Sequence, residues 1–150
     1  MANFKSDIIT AKDSLALSDA QHNSGELTLA VPVLVTLASG MVASDTIQLA
    51  DMPAGAVLVP QLSKATAIDN PGTSLVLDIG DADDDDRYAD GLTLSAAGDD
   101  KFLTDPAIPD AVENAYKPNE STRIFATVKT ATSITDGAKL LITLVYRIRG

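Results

Sequence analysis

The sequence predicts an all-β protein, an antiparallel β-sandwich of jelly-roll-like design preceded by an extended N-terminal arm, and three observations predict it. Apolar residues alternate with polar ones in about six to eight short runs. Turn signals built from Pro, Gly, Asp and Asn separate those runs at intervals of roughly 8 to 15 residues. No segment carries the convincing 3.6-residue apolar spacing of an amphipathic helix. The 150 residues fit one domain, and a chain of that size can bury roughly two-thirds of its unfolded surface.

Residues 1–25 mix charged and small polar residues with isolated apolar ones and end in the turn-like Gln21-His22-Asn23-Ser24-Gly25. They read as an extended arm, and 26–150 as a single sandwich domain. From Glu26 the period is two: Leu27, Leu29, Val31, Val33, Val35 and Leu37 share one face, and Thr28, Ala30, Pro32, Leu34 and Thr36 share the other. Pro32 cannot donate to a ladder, so this strand belongs at a sheet edge or carries a bulge. Asp45 to Ala50 is the next strand, with Ile47 and Leu49 inward, and Met52-Pro53-Ala54-Gly55 breaks it. Ala56 to Thr66 is β-branched enough to form one strand. Asp69-Asn70-Pro71-Gly72 then turns the chain into Ser74 to Ile79, where Leu75, Leu77 and Ile79 alternate with Ser74, Val76 and Asp78.

Residues 80–118 are the least regular part. They hold an Asp-rich loop, a short strand at Tyr88 to Leu94, and a segment with Pro106, Pro109 and Pro118 in which Pro109 to Tyr116 has room for one or two helical turns. Two strands close the chain. Ser121 to Lys129 opposes Ile124, Ala126 and Val128 to Arg123, Phe125, Thr127 and Lys129. After the Asp136-Gly137 turn, Lys139 to Arg149 puts Leu140, Ile142, Leu144, Tyr146 and Ile148 on one face, a pattern strong enough for a central strand.

Composition excludes several functions. Hydrophobic residues are 45% of the chain, aromatics 4%, and Trp is absent, so the core must be built from Ala, Val, Leu and Ile. A net charge of −10 disfavours nucleic acid, which needs a basic face to displace counterions from phosphate, and disfavours an anionic membrane for the same reason. Without Cys there is no disulfide, thiolate zinc site or cysteine nucleophile. The N-terminus lacks the apolar core of a signal peptide. The longest apolar run, Leu27 to Ala38, falls short of the roughly 20 residues that span a bilayer. A soluble protein made in the cytoplasm, free of membrane, is expected.

Chemistry is thinly provided. The single histidine, His22, sits in a polar, turn-like stretch and reads as a surface residue, since a useful imidazole needs an oriented partner. Neither a nucleophile elbow, a phosphate-binding loop nor a zinc-protease helix motif is present. The strongest polar constellation is Asp78 to Gly91. There Asp81, Asp83 and Asp85 match the i, i+2, i+4 oxygen spacing that opens an EF-hand loop. The match breaks at Asp86, where the loop needs Gly, and at Leu92, where it needs a bidentate Glu. A calcium site of another type stays open, but a solvated acidic loop partly compensated by Arg87 is the favoured reading. No catalytic residue and no cofactor are expected.

Four segments carry a resemblance. They are D-T-I-Q-L-A-D-M-P-A-G-A-V-L at 45–58, L-V-L-D-I-G-D-A-D-D-D-D-R-Y-A-D-G at 75–91, T-R-I-F-A-T-V at 122–128, and the closing strand L-L-I-T-L-V-Y-R at 140–147. The chain resembles small structural proteins of tailed bacteriophages, the capsid decoration or cement proteins, over about residues 45–149. The resemblance implies a β-sandwich on the outer surface of an assembled head, bound to the major capsid protein and to neighbouring copies, often as a homotrimer. It brings no catalytic residues. The uncovered arm offers Phe4, Lys5, Ile8 and Ile9 as candidate contacts that order on binding. A tail, collar or fibre-associated virion protein would share this composition. A carbohydrate-binding sandwich would need an aromatic platform that this chain can scarcely supply.

Overall fold

A computed structural model describes residues 26–103 and 119–149. The expected arm, with Phe4, Lys5, Ile8, Ile9 and His22, and the Pro109 to Tyr116 segment lie outside the described residues.

The described chain is all β: β1 (Glu26–Thr36), β2 (Thr46–Met52), β3 (Ala56–Leu58), β4 (Lys64–Ala67), β5 (Ser74–Gly80), β6 (Ala89–Leu94), β7 (Asp100–Phe102), β8 (Thr122–Thr132) and β9 (Lys139–Arg149). These form two antiparallel sheets. The larger runs β1-β9-β4-β7, with β3 also paired to β9, and the smaller runs β2-β8-β5-β6. The pairing is nested: β1 with β9, β2 with β8, β4 with β7, β5 with β6. The two antiparallel sheets bear out the expected all-β sandwich.

Alternation places the core. Along β1, Leu29, Val31 and Val33 are half-buried and Val35 buried, while Thr28, Ala30, Pro32, Leu34 and Thr36 face out. Pro32 sits where its missing N–H does least harm, because β1 is an edge strand. Leu140, Ile142 and Leu144 of β9 meet Leu75, Leu77 and Ile79 of β5 and Ile124, Ala126 and Val128 of β8 in one hydrophobic cluster fed by both sheets. A bulge between Gln48 and Ala50 shifts the register of β2, so that Leu49 and Met52, three residues apart, are both buried. At the 69–72 turn, Gly72 has φ +135° and its Cα faces the Ser133 carbonyl, which an added Cβ would meet at 2.5 Å.

The structure corrects the sequence at three places. The single strand expected from Ala56 to Thr66 is two, β3 and β4, aligned on the same edge of β9. Pro60 ends the first, and a turn follows in which Leu62 and Ser63 donate to the Val59 carbonyl. A short strand, β7, lies in the stretch read as irregular, and β8 continues three residues beyond Lys129.

Ala30 of β1 stands opposite Val145 on one side of β9, but on the other side the β3–β4 break would leave Val145 without a ladder partner. Val59 N–H donates to the Val145 carbonyl at 2.7 Å. The fully buried Ser63 hydroxyl accepts from Val145 N–H at 2.9 Å and donates to the Val59 carbonyl at 2.9 Å. Ser63 thus stands in for a missing strand residue. Ser63→Ala orphans a buried N–H and is expected to cost about 1–3 kcal/mol, read by denaturant unfolding. A loss within error of zero would remove this role.

Candidate functional site

The acidic loop joins β5 to β6, and its shape is set from its first residues. Gly80 ends β5 with the backbone of Asp84 and Asp85 folded against its Cα; an added Cβ would lie 2.1 Å from the Asp84 carbonyl oxygen. The next residue, Asp81, is buried. Its backbone N–H donates to the Asp84 carbonyl at 2.8 Å. One side-chain oxygen accepts from the N–H groups of Asp83 (3.0 Å) and Asp84 (3.2 Å). The other accepts from Arg87 Nε (2.8 Å) and the Tyr88 hydroxyl (3.4 Å). Such a turn, closed by an aspartate onto N–H groups two and three residues ahead, is the local preference of Asp.

The three carboxylates at EF-hand spacing therefore do different work. Asp81 is an internal brace, whereas Asp83 and Asp85 are exposed. Oxygens of Asp84, Asp85 and Asp86 are the ones that come within 4.8 Å of one another. Leu92, at the position where an EF-hand needs its bidentate ligand, is buried in the core as part of β6. Crowding acts on Asp86: a hydrogen bond with Asp84, then desolvation and the charges of Asp84, Asp85 and Asp90, hold its carboxyl above the ordinary value. Asp84 and Asp86 are half-exposed and exposed carboxylates, and the described residues contain no His to act with them.

Two further polar groups lie on the outer face of the smaller sheet. Arg123 forks onto Asp51 through Nε (2.6 Å) and Nη2 (3.0 Å) and reaches Gln48 Oε1 (3.1 Å). Lys129 bonds Asp90 and lies 3.6 Å from Asp78, whose Oδ1 accepts from Gly91 N–H at 2.7 Å. Sequence reading paired Arg87 with the loop but missed both groups. Their members are far apart in sequence and meet only through the register of β8 with β2 and β5.

These pairs set an acid limit. Hydrogen bonds from Arg123 lower the Asp51 carboxyl, those from Lys129 lower Asp90, backbone N–H groups of Ser95 and Ala96 lower Asp99, and Thr66 and Lys64 lower Asp100. A carboxyl lowered on folding stabilises the protein above its ordinary value of 3.8, and that contribution is lost as pH falls through the folded value. Asp86 opposes this, gaining as pH falls through its raised value. With four groups against one, the melting temperature is expected to drop between about pH 5 and pH 3. Because all are surface groups, added salt should shrink the drop, and so should Asp51→Asn. A flat profile would contradict the assignment.

No protein-family model and no curated protein matches the chain. Among solved structures, a chain in the capsid of Ralstonia phage GP4 is similar at 22% identity and a TM-score of 0.57, over 83% of this chain and 85% of that one. Chains in the capsid asymmetric unit of cyanophage Pam1 (14% identity, TM-score 0.49) and in the capsid of Helicobacter pylori bacteriophage KHP30 (16%, 0.49) are similar over 83% of this chain and 86% and 94% of theirs. The first of these likenesses is one of fold: the same two-sheet sandwich recurs in a chain of a phage capsid.

Proposed function

We propose that this protein is a non-enzymatic structural protein of a bacteriophage virion that decorates and stabilises the outer surface of the capsid. The supporting observation is the shared sandwich: a chain from a phage capsid has this fold over 83% of the present one. The segments that resemble decoration proteins contain β2 and β3, most of β5, β8 and β9, and the start of β6. The proposed partners are the major capsid protein and neighbouring copies, as a homotrimer. Repeated copies on a shell gain avidity, so each contact can be modest. Phe4, Lys5, Ile8 and Ile9 of the N-terminal segment are proposed as contacts to the shell, and no cofactor or metal takes part.

Electron microscopy of particles purified with the protein tests this. Density for the sandwich on the outside of the head is the expected result; density on a tail or collar, or particles that never bind it, would overturn the reading. Deleting residues 2–20 should weaken occupancy and leave the melting temperature unchanged. Full occupancy without them would remove the arm's role.

A further inference from the structure

The chain holds two aspartyl-glycyl bonds, Asp90–Gly91 and Asp136–Gly137. Such a bond is chemically labile, because glycine has no Cβ to keep its nitrogen away from the preceding side chain. When that nitrogen bonds to Cγ of a protonated aspartic acid, the Cγ–OH bond breaks, and the hydroxyl leaves as water with the amide proton. The product is a cyclic imide. Water then opens it, and entry at the backbone carbonyl leaves the chain running through the side chain as isoaspartate. Nothing is oxidised or reduced. Two things hold the first step back: a partner that keeps the N–H, and a cation that keeps the carboxyl ionised.

The fold supplies both at Asp90–Gly91. Between the Leu77–Leu92 and Ile79–Ala89 pairs, these two residues stand opposite Asp78 alone, a bulge with Gly91 at φ +75°. The buried Asp78 carboxylate accepts from Gly91 N–H at 2.7 Å. Lys129 pairs with Asp90, and its hydrogen bond and charge hold that carboxyl below the ordinary value. Asp136–Gly137 is held more loosely. Both residues are exposed, in the connection from β8 to β9. Gly137 N–H donates to a neutral acceptor, the Leu37 carbonyl, at 2.9 Å. The partner of the Asp136 carboxyl is also uncharged: Oδ1 accepts from Ser39 N–H at 3.2 Å. A charge-assisted hydrogen bond is roughly twice as strong as a neutral one, and exposed turns open locally at small cost.

We propose that Asp136–Gly137 is the site at which the folded protein converts to isoaspartate, and that Asp78 and Lys129 shield the equivalent bond at Asp90–Gly91. Conversion at Asp136 lengthens the backbone by one methylene in a connection that is fastened to the chain just after β1 through Leu37 and Ser39. The aged protein is therefore loosened where β1 and β9 begin their ladder. This is a property of the isolated chain and stands apart from the capsid reading.

The experiment ages the purified full-length protein for weeks at about pH 6, above the acid limit of the fold, with a parallel sample in urea. In wild type, trypsin places the two bonds on separate peptides, 88–101 and 130–139. Mass spectrometry with electron-transfer fragmentation then tells isoaspartate from aspartate in each. In the folded protein, conversion at Asp136 should exceed that at Asp90 by about tenfold or more, whereas in urea the two should convert at similar rates. Lys129→Met, at an exposed position, frees the Asp90 carboxyl and should raise conversion there several-fold while leaving Asp136 as it was. Asp78→Ala releases the Gly91 N–H and should act in the same direction; should it fail to fold, Lys129→Met carries the test alone. Equal conversion at the two bonds of the folded protein would overturn the proposal. So would a preference that survives in urea, a folded protein that converts at neither bond, or Lys129→Met that leaves Asp90 unchanged.

Discussion

Gly80→Ala is expected to be among the most damaging single methyl additions in the protein. The added Cβ would sit 2.1 Å from the Asp84 carbonyl oxygen and 2.3 Å from the Asp85 carbonyl carbon. Both are backbone atoms, which no side-chain rotation can clear. Asp81 holds that backbone with two N–H bonds and its own N–H, so relief means unfastening the loop. Overpacking of this severity costs about 3 kcal/mol, a fall in melting temperature of roughly 6–12 °C. Gly40→Ala is the control: nothing lies within 4 Å of its added Cβ, and a change within about 0.5 kcal/mol is expected. Calorimetry of the two variants decides it, and equal melting temperatures would show that the loop yields freely.

Ile142→Ala is expected to cost about as much by the opposite route. Ile142 is fully buried on β9, with Val33 of β1 on one side and Ala65 of β4 on the other. Truncation removes three carbons from the strand that joins the larger sheet, and the small Ala65 cannot expand to fill the space. A loss of about 2–5 kcal/mol follows, while Ile142→Val should lose about 0.5–1.5 kcal/mol. Urea unfolding measures both; an Ile142→Ala loss no greater than that of Ile142→Val would mean that the site collapses around the gap.

Much of the sandwich was legible because its strands bury one face each. In β1 and β9 the apolar residues recur every second position for the whole strand, and a one-residue slip would expose all of them, so pattern and register agree. Pro32 marked an edge for a reason that holds anywhere. The β3–β4 break was missed because residues 56–66 keep a β-forming composition through Pro60, and the residue that repairs the ladder, Ser63, looks like any polar residue in a strand. β7 left no pattern to read: its three residues are all exposed, and it exists through hydrogen bonds to β4. In the acidic loop, like residues carry unlike roles. Nothing in a run of aspartates says that Asp81 is the buried one; that follows from Gly80 admitting the loop backbone and from Arg87 reaching back.

The nested pairing also sets the order in which this protein can be built. Among the described residues, β1 and β3 each pair as strands with β9 alone, which follows every one of its partners in the chain. During synthesis these strands leave the ribosome with no sheet to join, and their apolar faces wait for β9. Such non-local closure folds on the slow, millisecond-to-second scale. The larger sheet is therefore completed only after β9 has emerged, and a nascent chain stalled before β9 should be sensitive to protease throughout β1 and β3.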